Sequence, residues 1–229
     1  MNPMPTLTIV IPTRDEAETI SEMVLCCLKI TPHVWVVDSL SRDGTPQLAA
    51  QAGARVFTIP EPGKGSAIRG IIPALTTELV LFIDADGSHD VADIPKLLQP
   101  LRDNLADHVQ ASRLLGGSSE LHGSFQEFFR LAGSAFITAC INRRFGVTIS
   151  DSQNGFRALR VSVLRALDLR EKITTIEQEM VIKTLKKQYR LVEVPSHEHA
   201  RIFGESKIKL TRVWIRYGYV LLRDLFLNS

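Results

Sequence analysis

The sequence predicts an α/β domain with a mostly parallel central sheet flanked by helices. Short runs rich in Val, Ile and Leu alternate with segments of helical spacing through the first half of the chain. This alternation implies parallel strands joined by right-handed crossover helices. Several of the apolar runs end at acidic or other polar residues, so ligand-binding side chains are expected along one edge of the sheet.

The individual elements follow from the same patterns. The strands expected in the first half lie at residues 7–11, 34–37, 55–59, 79–83 and 109–112. The helices expected between them lie at residues 15–30, 45–52, 64–75 and 90–104, the first with Asp15 and Glu16 in its opening turn, where acids suit the helix dipole. The second half predicts a loop at 114–123, helices at 124–145, 175–189 and 206–227, a short strand and helix within 156–167, and a strand at 190–194.

The composition is ordinary for a soluble globular protein. The 229 residues, 45% of them hydrophobic and 23% charged, suffice for one large domain with a sizeable core. A net charge of +2 gives no reason to expect a nucleic-acid partner. The three cysteines, Cys26, Cys27 and Cys140, are expected to be core residues in a reducing compartment. Neither a signal peptide nor a transmembrane helix is expected.

The most informative stretch is residues 79–90, where an apolar strand runs directly into acidic residues. Asp84 and Asp86 are spaced i, i+2 just past the strand, at the sheet edge where open α/β sheets bind ligands. Hard carboxylate oxygens suit Mg²⁺ or Mn²⁺, which take one or two carboxylates together with substrate phosphates. A solvated turn with a helix N-cap explains Ser88 and Asp90, but it leaves the two strand-end acids unexplained.

Three further loops follow predicted strands. Pro12, Thr13 and Glu16 follow the first strand, and taken alone they are sufficiently explained as a helix cap. Asp38 ends the second strand, where it suits hydrogen bonds from a ribose or a base N–H, or an Asx-turn. Lys64 lies between glycines that would let the main chain approach a phosphate, although an ordinary loop-to-helix turn has the same composition.

Taken in order, these motifs resemble the family-2 inverting glycosyltransferases of the GT-A fold. Within that family the chain is most similar to the dolichyl-phosphate mannose synthase group, which glycosylates polyprenyl phosphates. The resemblance rests on residues 9–16, residues 36–38 with 43–45, Asp84-Ala85-Asp86 with Ser88-His89, residues 151–157, residues 179–181 and residues 201–207. Two departures are Arg14-Asp15, where Tyr-Asn is commoner, and Leu40, where a small residue is usual.

The resemblance implies a role for each matched residue. The nucleotide of a GDP- or UDP-linked sugar would be held by Pro12, Thr13, Glu16, Asp38, Lys64, Asp84, Ala85 and Asp86. The Mg²⁺ or Mn²⁺ ion would be held by Asp84, Asp86 and Ser88. The residues expected to take part in catalysis are Asp86, Arg113, Arg130 and Asp151. The resemblance therefore implies a metal-dependent transfer of sugar to a polyprenyl phosphate.

The acceptor side can be argued from charge. A phosphate monoester has a second pKa of about 6, so it is already a nucleophile near neutral pH and needs cations rather than a base. Arg113 follows a strand, and Arg130 and Ser134 are i, i+4 on a helix; the resemblance adds Arg201 and Lys207 as phosphate clamps. A solvated helix face and small-residue packing are the alternatives for Arg130 and Ser134.

An acceptor hydroxyl would instead need a general base. Asp151 or Glu179 would then be the candidate for that role. With a phosphate acceptor the two acids would position arginines or sugar hydroxyls, and the acids at residues 177 and 179 also suit the start of a helix.

The chain divides into an expected catalytic domain at residues 1–205 and a C-terminal helix at 206–229. Basic residues interleaved with Trp, Tyr and Leu suit a helix lying in an anionic membrane interface, although packing on the domain itself or on a dimer partner is an equal alternative. The expected location is cytoplasmic, peripheral on the cytoplasmic face of a membrane, with a membrane-protein partner as an option.

Two rival functions stay open from the sequence. The first is the same fold with a soluble hydroxyl acceptor, such as a sugar or a small hydroxy acid. The second is a protein that binds a nucleotide-sugar without turning it over. Retention of acids at Asp84 and Asp86 argues against the second rival.

Overall fold

The computed structural model describes residues 5–119, 125–200 and 210–226, with the main chain alone at 125–130 and 210–214. The strands are β1 (Leu7–Thr13), β2 (Val34–Asp38), β3 (Arg55–Thr58), β4 (Leu79–Phe82), β5 (His108–Ser112), β6 (Arg157–Arg160) and β7 (Leu191–Pro195). The helices are α1 (Ile20–Leu28), α2 (Thr45–Gln51), α3 (Lys64–Ile71), α4 (Ile94–Arg102), α5 (Arg113–Gly116), α6 (Phe125–Phe145), α7 (Val161–Ala166), α8 (Thr175–Lys186) and α9 (Leu210–Phe226).

The strands form one seven-stranded sheet in the order β3-β2-β1-β4-β6-β5-β7. The β1–β2, β1–β4, β2–β3 and β5–β7 pairs are parallel, whereas β6 runs antiparallel to both β4 and β5. The predicted mostly parallel sheet is therefore present. Because β1, β2, β4 and β5 point the same way, the loops after them meet at one edge.

Side chains of the central strands alternate between two apolar cores, one on each face of the sheet. In β1, Ile9 and Ile11 belong to one core and Val10 belongs to the other. All residues of β4 are buried, as expected for a strand covered by helices on both faces. This rigid centre fixes the place where β4 ends and Asp84 begins.

Two predicted boundaries in the first part of the chain are wrong. Helix α1 begins at Ile20 instead of residue 15, because Asp15 has φ 54° and residues 15–17 bond to the loop after β2. Residues 113–116 form the short helix α5, capped by the Ser112 hydroxyl, where a loop was predicted. The acids at 15 and 16 therefore belong to a loop at the sheet edge.

The C-terminal helix α9 packs on α8 and α6. Its Val220, Leu221 and Leu225 are buried, the last two in an apolar cluster shared with α6 and α8. The packing alternative predicted for this helix is thus present along one face. Among the described residues, none of the helices combines the length and the apolar character needed to cross a bilayer.

Candidate functional site

The loops after β1 and β2 are held together by their main chains. The Asp15 N–H donates to Ser41 Oγ at 2.7 Å, and the Glu16 N–H donates to Thr45 Oγ1 at 2.8 Å. Residues predicted to bind a nucleotide, including Glu16, thus lie in a braced loop pair at the carboxyl edge of the sheet. Their contact with a nucleotide stays a prediction.

Asp38 ends β2 and is buried beneath this loop pair. One of its carboxylate oxygens accepts the Ser41 N–H at 3.0 Å, and the other accepts the Ser41 hydroxyl and, at 3.5 Å, the Thr13 hydroxyl. Asp38 thus holds the loop after β2 through Ser41, three residues on, and not through the N–H two residues on that an Asx-turn would use. Pro12 and Thr13 pair with Val37 and Asp38 in adjacent parallel strands.

The predicted site residues Lys64 and Asp84 form an ion pair with a third residue, Glu177. Lys64 Nζ lies 2.5 Å from Asp84 Oδ1 and 2.7 Å from Glu177 Oε1. Burial alone would lower the pKa of the Lys64 ammonium, but the two carboxylates raise it above its usual value, so Lys64 stays charged. Asp84 is the exposed member, with 30% of its side chain accessible against 4% for Glu177.

Gly155 closes over this ion pair. A Cβ built at Gly155 would lie 2.4 Å from Lys64 Nζ and 2.6 Å from Asp84 Oδ2. Any larger residue would overlap the charged ends of both side chains. The main chain of the turn before β6 therefore packs directly against the Lys64–Asp84 pair, with no room for a side chain at this position.

Asp86 is buried two residues further on, directly after Ala85. Its Oδ1 accepts the Ser88 main-chain N–H at 3.1 Å and the Ser88 hydroxyl at 2.7 Å. Within the described residues, no group of three or more His, Cys, Asp or Glu side chains is placed to hold a metal ion by itself. The carboxylates of Asp84 and Asp86 suit a hard cation that takes its other ligands from water and a diphosphate.

Arg113 opens α5 and pairs with two carboxylates. Its Nε lies 2.7 Å from Asp151 Oδ2, and one terminal nitrogen lies 3.0 Å from Asp151 Oδ1, which makes the contact bidentate. The other terminal nitrogen lies 3.5 Å from Glu198 Oε2. Burial alone would raise the pKa of Asp151, but the ion pair with Arg113 lowers it below its usual value.

The lowered pKa makes stability depend on pH in a defined direction. The pair's stabilisation is present above the ordinary Asp pKa of 3.8 and is lost as pH falls through the lower folded value. We therefore expect the unfolding free energy of Asp151→Asn to fall less steeply with acidification than that of the wild type. Urea unfolding at a series of pH values between about 6 and about 2 measures this, and equal slopes would contradict the role of the pair.

The segment at residues 197–199 joins the Asp86 and Arg113 clusters. The His199 main-chain N–H donates to the Ser88 carbonyl at 2.8 Å, and Glu198 forms a β-bridge with His89. Glu198 also reaches Arg113, so one short segment contacts both clusters. The acids after β4 and the arginine after β5 are therefore connected through one short segment.

Other predicted acceptor residues are placed only in part. Ser134 lies half-buried on α6, one turn after Arg130, whose side chain is outside the described residues, as are Arg201 and Lys207. One turn later on the same side of α6, the Thr138 hydroxyl contacts the Ser152 hydroxyl at 2.8 Å. The side of α6 that carries residues 130 and 134 is thus the side that meets the turn of Asp151.

Three residues of this region were given no site role from the sequence, although Arg157 lies in the matched motif at residues 151–157. Glu177 was attributed to the helix dipole but pairs with Lys64. Arg157 is buried with its guanidinium on the carbonyls of Asn154 and Glu177, beneath the turn of Gly155. Glu198 lies in none of the motifs identified in the sequence.

Glu179, one of the two candidate bases, has a structural role. It is fully buried, and its oxygens accept the main-chain N–H groups of Arg170 and Glu171 and the Lys183 ammonium. Its carboxylate is thus committed to the segment before α8.

Comparisons with known proteins place this geometry in a family. A model of "Glycosyl transferase family 2" matches residues 8–168, which is more than half of the chain. The undecaprenyl-phosphate mannosyltransferase of Micrococcus luteus is 31% identical over 220 residues, covering 90% of this chain and 88% of that protein. The low-salt glycan biosynthesis hexosyltransferase Agl6 of Haloferax volcanii is 30% identical over 90% of this chain, which spans only 50% of Agl6.

A solved structure agrees in fold. The glucosyl-3-phosphoglycerate synthase of Mycobacterium tuberculosis, crystallised with Mn²⁺, UDP and phosphoglyceric acid, has a TM-score of 0.79 and 20% identity, covering 98% of this chain and 80% of that one. The predicted GT-A fold is thereby confirmed. Together with the family match, this establishes that the chain belongs to glycosyl transferase family 2 and is a glycosyltransferase.

Proposed function

We propose that this glycosyltransferase moves a sugar from a nucleotide-sugar to a polyprenyl phosphate, with inversion at the anomeric carbon and with a divalent metal. The names of relatives such as the undecaprenyl-phosphate mannosyltransferase support the acceptor class. The donor is a GDP- or UDP-linked sugar. The proposal depends chiefly on whether the acid beside the proposed acceptor-binding arginine could serve as a general base.

That acid is Asp151, and it is unsuited to act as a base. Both of its oxygens accept from the Arg113 guanidinium, and its side chain is 2% accessible. A carboxylate with a lowered pKa is a poor proton acceptor for a hydroxyl. An acceptor that arrives already ionised avoids this difficulty, and a phosphate monoester does so because its second pKa is about 6.

On the acceptor side, Arg113 would contact the phosphate and Asp151 would hold its guanidinium in one orientation. Arg130, Ser134, Arg201 and Lys207 would supply further contacts, as the sequence resemblance implies. The lipid phosphate oxygen would then attack the anomeric carbon from the face opposite the leaving diphosphate. The new bond joins that oxygen to the sugar, and the nucleoside diphosphate leaves with the electrons of the broken bond.

On the donor side, Asp84 and Asp86 would hold Mg²⁺ or Mn²⁺ with help from Ser88. When bound, the ion supplies positive charge that offsets the charge building on the leaving diphosphate. Lys64 would add a fixed cation next to Asp84, 2.5 Å away. With two carboxylates the protein offers only part of a coordination shell, so we expect tight metal binding only with the nucleotide present.

Glu177 provides a prediction on this side. Its Oε1 neutralises Lys64, and its Oε2 is buried without a hydrogen-bond partner in the described residues, which suits a donor sugar hydroxyl. Glu177→Gln is expected to weaken donor binding about tenfold, because it removes the charge that positions the Lys64 ammonium. Calorimetric titration with the nucleotide-sugar and Mn²⁺ measures this, with exposed Glu22→Gln on α1 as the control. Unchanged affinity would remove Glu177 from the site.

We further propose that α9 rests on a membrane surface. Ile215, Tyr219, Leu222 and Phe226 are spaced i, i+4, i+7 and i+11, and each is more than half exposed. Such an exposed apolar stripe suits a helix that lies in a membrane interface. Leu222→Glu is expected to reduce sedimentation with vesicles containing anionic lipid several-fold. Asp103→Glu, at an exposed position directly after α4, serves as the control. Equal sedimentation of the wild type and both variants would refute membrane contact.

A radiolabel assay tests the proposed reaction. The protein is incubated with a bacterial lipid extract, Mn²⁺ and each common radiolabelled nucleotide-sugar in turn. The expected product is organic-extractable, acid-labile label that disappears when EDTA removes the metal. No metal-dependent lipid product from any donor would refute the lipid acceptor.

A soluble acceptor is the second candidate, favoured by the fold likeness to glucosyl-3-phosphoglycerate synthase. With such an acceptor, label would stay in the aqueous phase on a small anionic hydroxy acid. Removal of the α9 stripe would then leave the rate unchanged.

A further inference from the structure

The start of α3, which carries Lys64, packs directly against Glu171 and Lys172. The Ser66 N–H donates to the Lys172 carbonyl at 3.0 Å. A Cβ at Gly63 would lie 2.2 Å from the Lys172 carbonyl oxygen, and one at Gly65 would lie 2.4 Å from that of Glu171. The two main chains are therefore in contact on both sides of Lys64, and a shift of residues 170–172 would move Lys64.

The side chain of Glu171 extends from this segment to α9. It is fully buried, and its oxygens meet Arg216 Nε and a terminal nitrogen at 3.0 Å each. Arg223 adds a contact at 2.7 Å, and the Thr175 hydroxyl adds one at 2.6 Å. Losing these donors would leave a buried carboxylate without compensation, so the contacts fix Glu171 strongly.

A second buried acid holds the same segment. Glu179 accepts the Arg170 N–H at 2.9 Å and the Glu171 N–H at 2.8 Å, and it lies 3.4 Å from Arg223. Arg223 thus reaches both carboxylates. The position of residues 170–172 is consequently tied to α9 through side chain and main chain.

We infer that Glu171 is a positioning residue for the donor site, which links the docking of α9 to the placement of Lys64 beside Asp84. The inference rests on the proposed donor role of Lys64. While α9 is docked, its arginines hold Glu171, and the Lys172 carbonyl accepts the Ser66 N–H. The glycines on either side of Lys64 let the two main chains approach this closely, and the ammonium stays 2.5 Å from Asp84. If α9 separates from α8 and α6, Lys64 is no longer held beside Asp84.

The variants Glu171→Gln, Arg216→Gln and the double substitution test this link. Titration with GDP or UDP in the presence of Mn²⁺ is expected to show about tenfold weaker binding in each single variant. The double variant should lose no more than the worse single variant, because both act through one contact. Leu101→Ala, in α4 on a different core cluster, is the control for lost stability alone.

A second readout needs no nucleotide. Acetic anhydride labelling of Lys64, followed by mass spectrometry, should proceed about tenfold faster in both single variants, because the released side chain exposes its neutral amine form to the reagent. Leu101→Ala should leave the Lys64 rate unchanged even with a comparable loss of melting temperature. Wild-type protein that binds neither nucleotide would refute the donor role alone, whereas unchanged Lys64 labelling in Glu171→Gln and Arg216→Gln would overturn the positioning role.

Discussion

Gly155→Ala is expected to lower the rate of sugar transfer by at least about 100-fold while the protein stays folded. The added methyl would overlap Lys64 Nζ and Asp84 Oδ2, at 2.4 and 2.6 Å. Both atoms are the ends of flexible side chains, which can swing aside at little cost to folding. Those same ends are the charges that the donor site needs, so the displacement removes function rather than stability.

Gly218→Ala is the matched control for this substitution. Gly218 lies in α9, and a Cβ there would meet no atom within 4 Å. Alanine in a helix is more favourable than glycine by about 1 kcal/mol, so the control should be slightly more stable and fully active. Wild-type turnover in Gly155→Ala would show that the Lys64–Asp84 pair lies outside the donor site.

Arg113→Met is expected to have the second large effect, on both activity and stability. The substitution leaves Asp151 buried and unpaired, which costs about 3–5 kcal/mol for a buried ion pair that loses one partner. It also removes the guanidinium proposed to place the acceptor phosphate, so transfer should fall by on the order of 10²–10³-fold. Chemical denaturation and initial rates measure the two effects separately.

The double variant Arg113→Met/Asp151→Asn separates structure from function. Removing the second charge relieves the uncompensated carboxylate, so we expect most of the lost stability to return. The transfer rate should stay low, since the phosphate contact is still missing. Recovery of the rate together with stability would mean that Arg113 has only a structural role.

The strands and the sheet edge could be predicted because apolar runs such as β4 are bounded by unmistakable polar residues. The direction of β6 could not, because its four residues, Arg157–Arg160, fit either direction. In the folded protein, β6 runs antiparallel because it pairs with β4 and β5. The start of α1 also failed, because the hydrogen bonds that hold Asp15 come from residues of another loop.

The site residues that were missed share one physical cause. An acid in the first turn of a helix is sufficiently explained by the helix dipole, so nothing local in the sequence connects Glu177 with Lys64. Likewise, the basic residues of the C-terminal helix suited a membrane interface, yet Arg216 and Arg223 both turn onto the buried Glu171. Partners distant in the sequence become visible only when the fold brings them together.

The proposed acceptor is tested most directly by comparing a short polyprenyl phosphate with the matching polyprenol, which differ only in the phosphate. Each is offered with Mn²⁺ and a radiolabelled nucleotide-sugar that the protein binds. Because Asp151 is committed to Arg113, we predict label on the polyprenyl phosphate and none on the alcohol. Transfer to the polyprenol, or to phosphoglycerate, at an equal or greater rate would contradict a phosphate acceptor that needs no base.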